Sequence, residues 1–245
     1  MKNHLDIDED ILEALVCKNN LQTACFYGNF DKLKKIIDSD NYDKDQDPKL
    51  IPLAANYDHV DIVTYLIRKG FDPNESHAIL FSGNSALMLF IENHNINGVI
   101  ALLRANCNIE HKNLNGETAL LLAVKFGYTK IVKELIEHGA DINVLNNHKY
   151  SPLLVAISIK NRDITRLLIY YGADVNLTTN DLNNKPIAPL DYAHNTLSIK
   201  INGKHKIHEN YIDIIKDLLR AGAKTRYNID HNLSGNKRSS SELNR

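Results

Sequence analysis

One block of text recurs along this chain at a fixed interval. GETALLLAVKFGYTKIVKELIEHGADIN, from Gly116 to Asn143, is followed by KYSPLLVAISIKNRDITRLLIYYGADVN, from Lys149 to Asn176. Gly139 and Gly172 stand 33 residues apart, as do Ala123 and Ala156, and Asp141 and Asp174. Self-similarity at such a period restricts the fold more than any single motif, because each copy must be one small structural unit that stacks on the next. The frame extends backwards through GNSALMLFIENHNINGVIALLRANCNIE (Gly83 to Glu110) and KLIPLAANYDHVDIVTYLIRKGFDPN (Lys49 to Asn74). A first copy is visible at LQTACFYGNFDKLKKII (Leu21 to Ile37). A last one starts at APLDYAHN (Ala188 to Asn195) and resumes at YIDIIKDLLRAGAK (Tyr211 to Lys224).

Each unit reads as a short apolar helix, a turn, a second apolar helix and a Gly-Ala-Asp-Val-Asn turn. In the fourth unit the helices are expected at Ala119 to Phe126 and about Thr129 to His138. Ile131, Val132, Leu135 and Ile136 follow the spacing of one apolar helix face. Gly139 falls just past a helix end, where a left-handed backbone suits glycine, and Asn106, in the same place one unit earlier, is the next most suitable residue. Pro152 and Pro189 fall in a first helical turn, where a missing N–H does little harm. Ala54, Ala123, Ala156 and Ala193 are small where neighbouring helices must come close.

This text resembles the ankyrin repeat, T-P-L-H-x-A followed by G-x-x-x-I-V-x-L-L-x-x-G-A-D-V-N, over roughly Leu21 to Lys224. Two units match closely and four more loosely. TPR and HEAT hairpins have other periods and lack the Gly-Ala-Asp-Val-Asn turn. The resemblance implies an all-α solenoid of stacked helix-turn-helix units joined by β-hairpin-like loops. The expected division is a capping helix over residues 1–20, a repeat domain over 21–226 and a flexible polar tail over 227–245. Within the domain the repeats fall near 19–46, 47–80, 81–113, 114–146, 147–180 and 181–226. The family's usual histidine is Met88, Leu121, Leu154 or Asp191 here, so its hydrogen bonds must be replaced. Ile7, Ile11, Leu12 and Leu15 would face the stack from the cap, with Asp6, Asp8, Glu9 and Asp10 at its favourable N-terminal end.

Composition narrows the function. A net charge of −1 in 245 residues argues against a broad basic nucleic-acid face. Three cysteines, Cys17, Cys25 and Cys107, without a CxxC pair suit a reducing compartment and small packed side chains. The acidic start does not read as a secretory signal, and no stretch approaches the ~20 apolar residues that span a membrane. No GxSxG, Walker loop, HExxH or Rossmann fingerprint occurs. Acidic pairs such as Asp58 with Asp61, and Asp213 with Asp217, are expected on solvent faces of helices. The chain is therefore expected to be a non-catalytic, cytoplasmic monomer without cofactor or metal.

The last repeat carries an insertion, SIKINGKHKIH, Ser198 to His208. Asn202-Gly203 between alternating segments signals a two-residue hairpin in which Ile201 faces Lys204, Lys200 faces His205 and Ile199 faces Lys206. It is either a basic accessory contact through Lys200, Lys204, His205 and Lys206 or a tolerated surface insertion. His194, His205 and His208 cluster, but a zinc site needs about four ligands and no cysteine is near. The tail HNLSGNKRSSSELNR lacks apolar periodicity. It looks like the C-terminal signals of effectors translocated by intracellular bacteria. An Asn-, Lys- and Ile-rich chain also suits the AT-rich genomes of such bacteria and of large viruses.

The resemblance also implies where a partner protein docks, on a concave face made of hairpin tips and first helices. By frame, the contact positions are Tyr57 in the second unit and Phe81, Ser82, Asn84, Glu92 and Asn93 in the third. The fourth supplies Leu114, Asn115, Glu117, Lys125 and Phe126. The fifth supplies Asn147, His148, Tyr150, Ser158 and Ile159. Tyr57, Phe81, Phe126 and Tyr150 are either interface anchors or packing against the next repeat. These positions imply an adaptor, scaffold or inhibitor, acting in the producing cell or, for an effector, in a host cell. The other reading is a substrate for a modifying enzyme. Leu168, with Asp174-Val175-Asn176, resembles the pattern asparagine hydroxylases accept in such repeats, and Leu135 with Asp141-Ile142-Asn143 is similar. The alternative role for Asn143 and Asn176 is to close their turns.

Overall fold

The computed structural model describes residues 20–39, 49–75, 81–180, 186–201, 204–207 and 209–225. The capping helix expected over 1–20, except Asn20, and the tail expected over 227–245 lie outside the described residues. Contacts divide the chain into two compact units, 1–114 and 115–245.

Among the described residues the first unit holds three helix pairs: α1 (Asn20–Tyr27) with α2 (Phe30–Ile37), α3 (Leu50–Asn56) with α4 (Val60–Arg68), and α5 (Ala86–Glu92) with α6 (Ile96–Arg104). First helices pack on first helices, α1 on α3 and α3 on α5, and second helices likewise, α2 on α4 and α4 on α6. The second unit repeats the plan with α7 (Ala119–Phe126), α8 (Thr129–Glu137), α9 (Pro152–Ser158), α10 (Arg162–Tyr170), α11 (Pro189–Leu197) and α12 (Glu209–Arg220). There α9 packs on α7 and α11, and α10 packs on α8 and α12. Two short antiparallel pairs complete this unit. β1 (Thr179–Asn180) pairs with β2 (Pro186–Ile187), and β3 (Ser198–Ile201) pairs with β4 (Lys204–Ile207). In the inserted pair Ile199 lies opposite Lys206, Lys200 opposite His205 and Ile201 opposite Lys204, the register a two-residue turn requires.

Short helices of seven to nine residues are marginal alone, so packing must hold them. Ala54, Ala123, Ala156 and Ala193 are fully buried, which is how the first helices approach so closely. Met88, Leu121 and Leu154, standing where the resemblance expects histidine, are core residues. The helix starts are secured instead by Ser85, Thr118 and Ser151, whose hydroxyls accept from the backbone N–H of Met88, Leu121 and Leu154. Ile131, Val132 and Leu135 are buried and Ile136 is half-buried, so α8 presents the expected face. α8 ends at Glu137, with His138 as its C-cap. Asn106 adopts a left-handed backbone at φ 54°, matching Gly139 at φ 90°.

The turns after α4, α6, α8 and α10 follow one hydrogen-bonding rule. A carboxylate or amide oxygen accepts from the backbone N–H two residues on: Asp72 from Asn74, Asn108 from Glu110, Asp141 from Asn143 and Asp174 from Asn176. The asparagine at the end of the turn then reaches into the following repeat. Asn74 Oδ1 accepts from Asn108 N in the first unit. In the second, Asn143 Oδ1 accepts from Asp174 N at 2.9 Å and Asn176 Oδ1 from Lys224 N at 2.7 Å. The Asp-x-Asn text is thus both a local turn and a clamp between neighbouring turns.

Candidate partner-binding surface

The residue just before the turn between the two helices occupies one frame position in the first five repeats: Tyr27, Tyr57, Asn93, Phe126 and Ile159. The next residue has positive φ in all five cases, which aligns them structurally as well as by count. The position is used differently in different repeats. In the first unit the Tyr57 ring sits 4.3 Å from that of Phe26. Asn93 Nδ2 donates to the carbonyls of Ala55 and Asn56, at 3.1 and 3.0 Å. Both are internal links between repeats. In the second unit Phe126 is 42% exposed and Ile159 39%, although α7 and α9 are otherwise almost wholly core. The Phe126 ring stacks on Tyr128, with centroids 5.6 Å apart. Tyr27, not singled out from sequence, is 60% exposed against Phe26.

Other sequence candidates divide between scaffold and surface. Asn84 and Glu117 are buried. Asn84 accepts from Asn113 Nδ2 and donates to Glu92 Oε1, while Glu117 accepts from Lys125 Nζ at 2.9 Å. Asn84 and Glu117, expected from sequence at the contact surface, are thus buried and engaged in internal hydrogen bonds. Burying them is tolerable because each has a hydrogen-bonding partner. Phe81 and Tyr150 are half-buried, the latter 5.9 Å from the His148 ring. Ser82, at φ 53°, accepts from Leu114 N, and Leu114 is an exposed large apolar residue. Lys125, Asn115, Asn147, His148 and Ser158 are exposed. Asn147 N donates to Asn115 O, which joins consecutive hairpin tips in the second unit.

Asn176 uses its whole amide, since Nδ2 also donates to Gly222 O at 3.3 Å. Both candidate modification sites, Asn143 and Asn176, thus carry clamps in the folded turn. The inserted strand pair is described by its backbone, and the side chains of Lys200, Lys204, His205 and Lys206 lie outside the described residues.

The chain matches the family described as ankyrin repeats (3 copies) at residues 21–113 and 87–179. It belongs to the ankyrin-repeat family. Its fold is similar to the ankyrin repeat domain of Bcl-3, a member of the IkappaB protein family. Identity is 22%, the match covers 85% of this chain and 88% of that one, and the TM-score is 0.67. An ankyrin repeat domain from Acinetobacter baumannii AYE is similar at 24% identity, covering 83% of this chain and 98% of that chain, with a TM-score of 0.69. No curated protein matches. Ankyrin repeats generally mediate protein–protein interaction and are generally non-catalytic. No helix among the described residues is long and apolar enough to cross a membrane.

One polar cluster contradicts the expectation of a solvent face for Asp217 but not for Asp213, whose side chain is 42% exposed. Asp217 on α12 is only 8% exposed. Its Oδ2 accepts from Arg162 Nε and Arg166 Nε, both at 2.9 Å. Asp213 accepts from Arg162 Nη1 at 2.9 Å. Burial pushes the Asp217 carboxyl up, but the hydrogen bonds from Arg162 and Arg166 outweigh it and hold the group below the usual carboxylate range. The same bonds raise Arg162 further. The available signal was the i, i+4 spacing of Arg162 with Arg166 and of Asp213 with Asp217, on second helices of adjacent repeats.

Proposed function

We propose that this ankyrin-repeat protein is a non-catalytic binding module that takes a partner protein on the first-helix surface of its second unit. Phe126 and Ile159 anchor that partner, and Lys125, His148 and Tyr150 form the rim. The observation that carries this reading is the exposure of Phe126 and Ile159 at the C-terminal ends of two adjacent packed helices, α7 and α9. In the first unit Tyr57 and Asn93 spend the same frame position on links between repeats. An apolar pair held out of the core on rigid helices loses little conformational freedom on binding, which is what an interface anchor needs. The module works by presentation, as an adaptor or inhibitor does, with the repeats supplying a preordered scaffold. Affinity capture from lysate with the intact protein and a Phe126→Ala/Ile159→Ala variant tests it. Losing about 2 kcal/mol per anchor weakens binding roughly thirtyfold for each, so a captured partner should disappear from the variant while its circular dichroism stays native. Equal retention by both proteins refutes the assignment.

A further inference from the structure

The Asp217 cluster holds more positive charge than a structural network needs. Among the described residues of this corner, Lys160, Arg162, Arg166, Lys216 and Arg220 stand against Asp163, Asp213 and Asp217. That is five cations against three carboxylates. Locking α12 to α10 requires Asp217 and Arg162, whose guanidinium bridges Asp217 and Asp213. Arg162 shares its one charge between Asp213 and Asp217, Arg166 completes the pairing of Asp217, and Arg220 adds a further cation to the same carboxylate. Arg166 contacts Asp217 at 2.9 and 3.4 Å with a side chain 52% exposed. Arg220 makes a single 3.5 Å contact with a side chain 71% exposed. Each guanidinium carries five N–H donors, so both keep donors for a further ligand.

We propose that this corner of the second unit, on α10 and α12, is a docking site for a phosphorylated side chain of a partner protein, with Arg166 and Arg220 as its ligands. A phosphate monoester brings about −1.5 to −2 charges at pH 7 and three acceptor oxygens, which matches an excess of two cations where one carboxylate would not. Planar guanidinium forks suit phosphate oxygens, and Asp217 preorganises Arg166 by fixing it through two contacts. Its two ligands lie on second helices and are not among the residues assigned to the Phe126–Ile159 surface.

The test uses the full chain and three degenerate short-peptide libraries differing only at a fixed central residue: phosphoserine, serine or glutamate. Fluorescence polarisation should show the phosphoserine library binding about tenfold or more tighter than the serine library, a preference of one order in Kd. Arg166→Ala/Arg220→Ala should abolish the preference while Arg162 still holds Asp217 and the fold. Arg166→Lys/Arg220→Lys, which keeps the charge but loses the forks, should retain only part of it. Three results overturn the proposal: no preference for phosphoserine, equal binding of the glutamate library, or a preference that survives the alanine pair.

Discussion

Gly116 and Gly139 offer a controlled comparison. Both have positive φ, 69° and 90°, both lie in the second unit, and the same substitution to alanine applies to each. A Cβ at Gly139 would meet nothing within 4 Å, whereas at Gly116 it would lie 2.2 Å from Asn147 Oδ1, 2.6 Å from its Cγ and 2.8 Å from its backbone N. At Gly139 only the left-handed backbone matters. That costs about 1–2 kcal/mol, offset by about 0.4–1 kcal/mol from the stiffer unfolded chain, leaving a loss near ~1 kcal/mol. At Gly116 the Asn147 side chain can swing aside, but its backbone N must move, and that atom donates to Asn115 O at 3.3 Å. Overpacking adds about 1–3 kcal/mol, so Gly116→Ala should lose roughly 2–4 kcal/mol. Urea unfolding followed by far-ultraviolet circular dichroism measures both. The slopes must match wild type for the comparison to hold, because repeat arrays can lose cooperativity. Losses equal within about 0.5 kcal/mol, or a larger loss at Gly139, would refute the reasoning.

Three further outcomes follow from the hydrogen bonding. Asn176→Ala removes an acceptor for Lys224 N and a donor to Gly222 O, so about 1–2 kcal/mol should be lost. Amide exchange should quicken at Leu218 to Lys224 before it does in α7, and a uniform change would contradict the clamp. Asp217 has a depressed folded pKa. Its contribution is therefore full above the unfolded carboxyl value of about 4 and is lost as pH falls through the folded value. Asp217→Asn should cost about 1–3 kcal/mol at pH 7, less than a wholly buried pair because its arginines are partly exposed, and match wild type in strong acid. Urea midpoints against pH check this. Tyr65 is pushed up to about 12 by burial and by the hydrogen bond it donates to Asp38. Its contribution is full below the unfolded value near ~10 and fades as pH rises through the folded one, so Tyr65→Phe should flatten the alkaline limb of the stability curve.

The repeat frame was legible because stacking imposes the same demands on every unit. A small residue at Ala123, a left-handed backbone at Gly139 or Asn106 and an oxygen at Asp141 are each dictated by contacts that recur. The polar interior was not legible. Glu117 and Asn84 look like surface residues until Lys125, Asn113 and Glu92 are brought against them. Asp217 reads as one more charge on an amphipathic helix until α10 delivers two guanidiniums from the preceding repeat. Apolar periodicity reports which face is covered. It does not report which polar side chain on the border of that face finds a partner and goes under with it.

That border also decides where binding and stability separate. Asn93 and Phe126 hold the same frame position, yet Asn93 spends its amide on two carbonyls of the preceding repeat while Phe126 leaves much of its ring in water. Asn93→Ala strands the carbonyls of Ala55 and Asn56 and should cost about 1–3 kcal/mol of stability, with affinity for a captured partner unchanged. Phe126→Ala loses the stacking on Tyr128 and should cost about 1 kcal/mol of stability while affinity falls. Unfolding and binding measured on the same two variants give a crossed pattern if the second unit carries recognition. If Asn93→Ala also weakens binding while its fold is intact, recognition is not confined to the second unit, and the frame position would be recognised in both of its chemical forms.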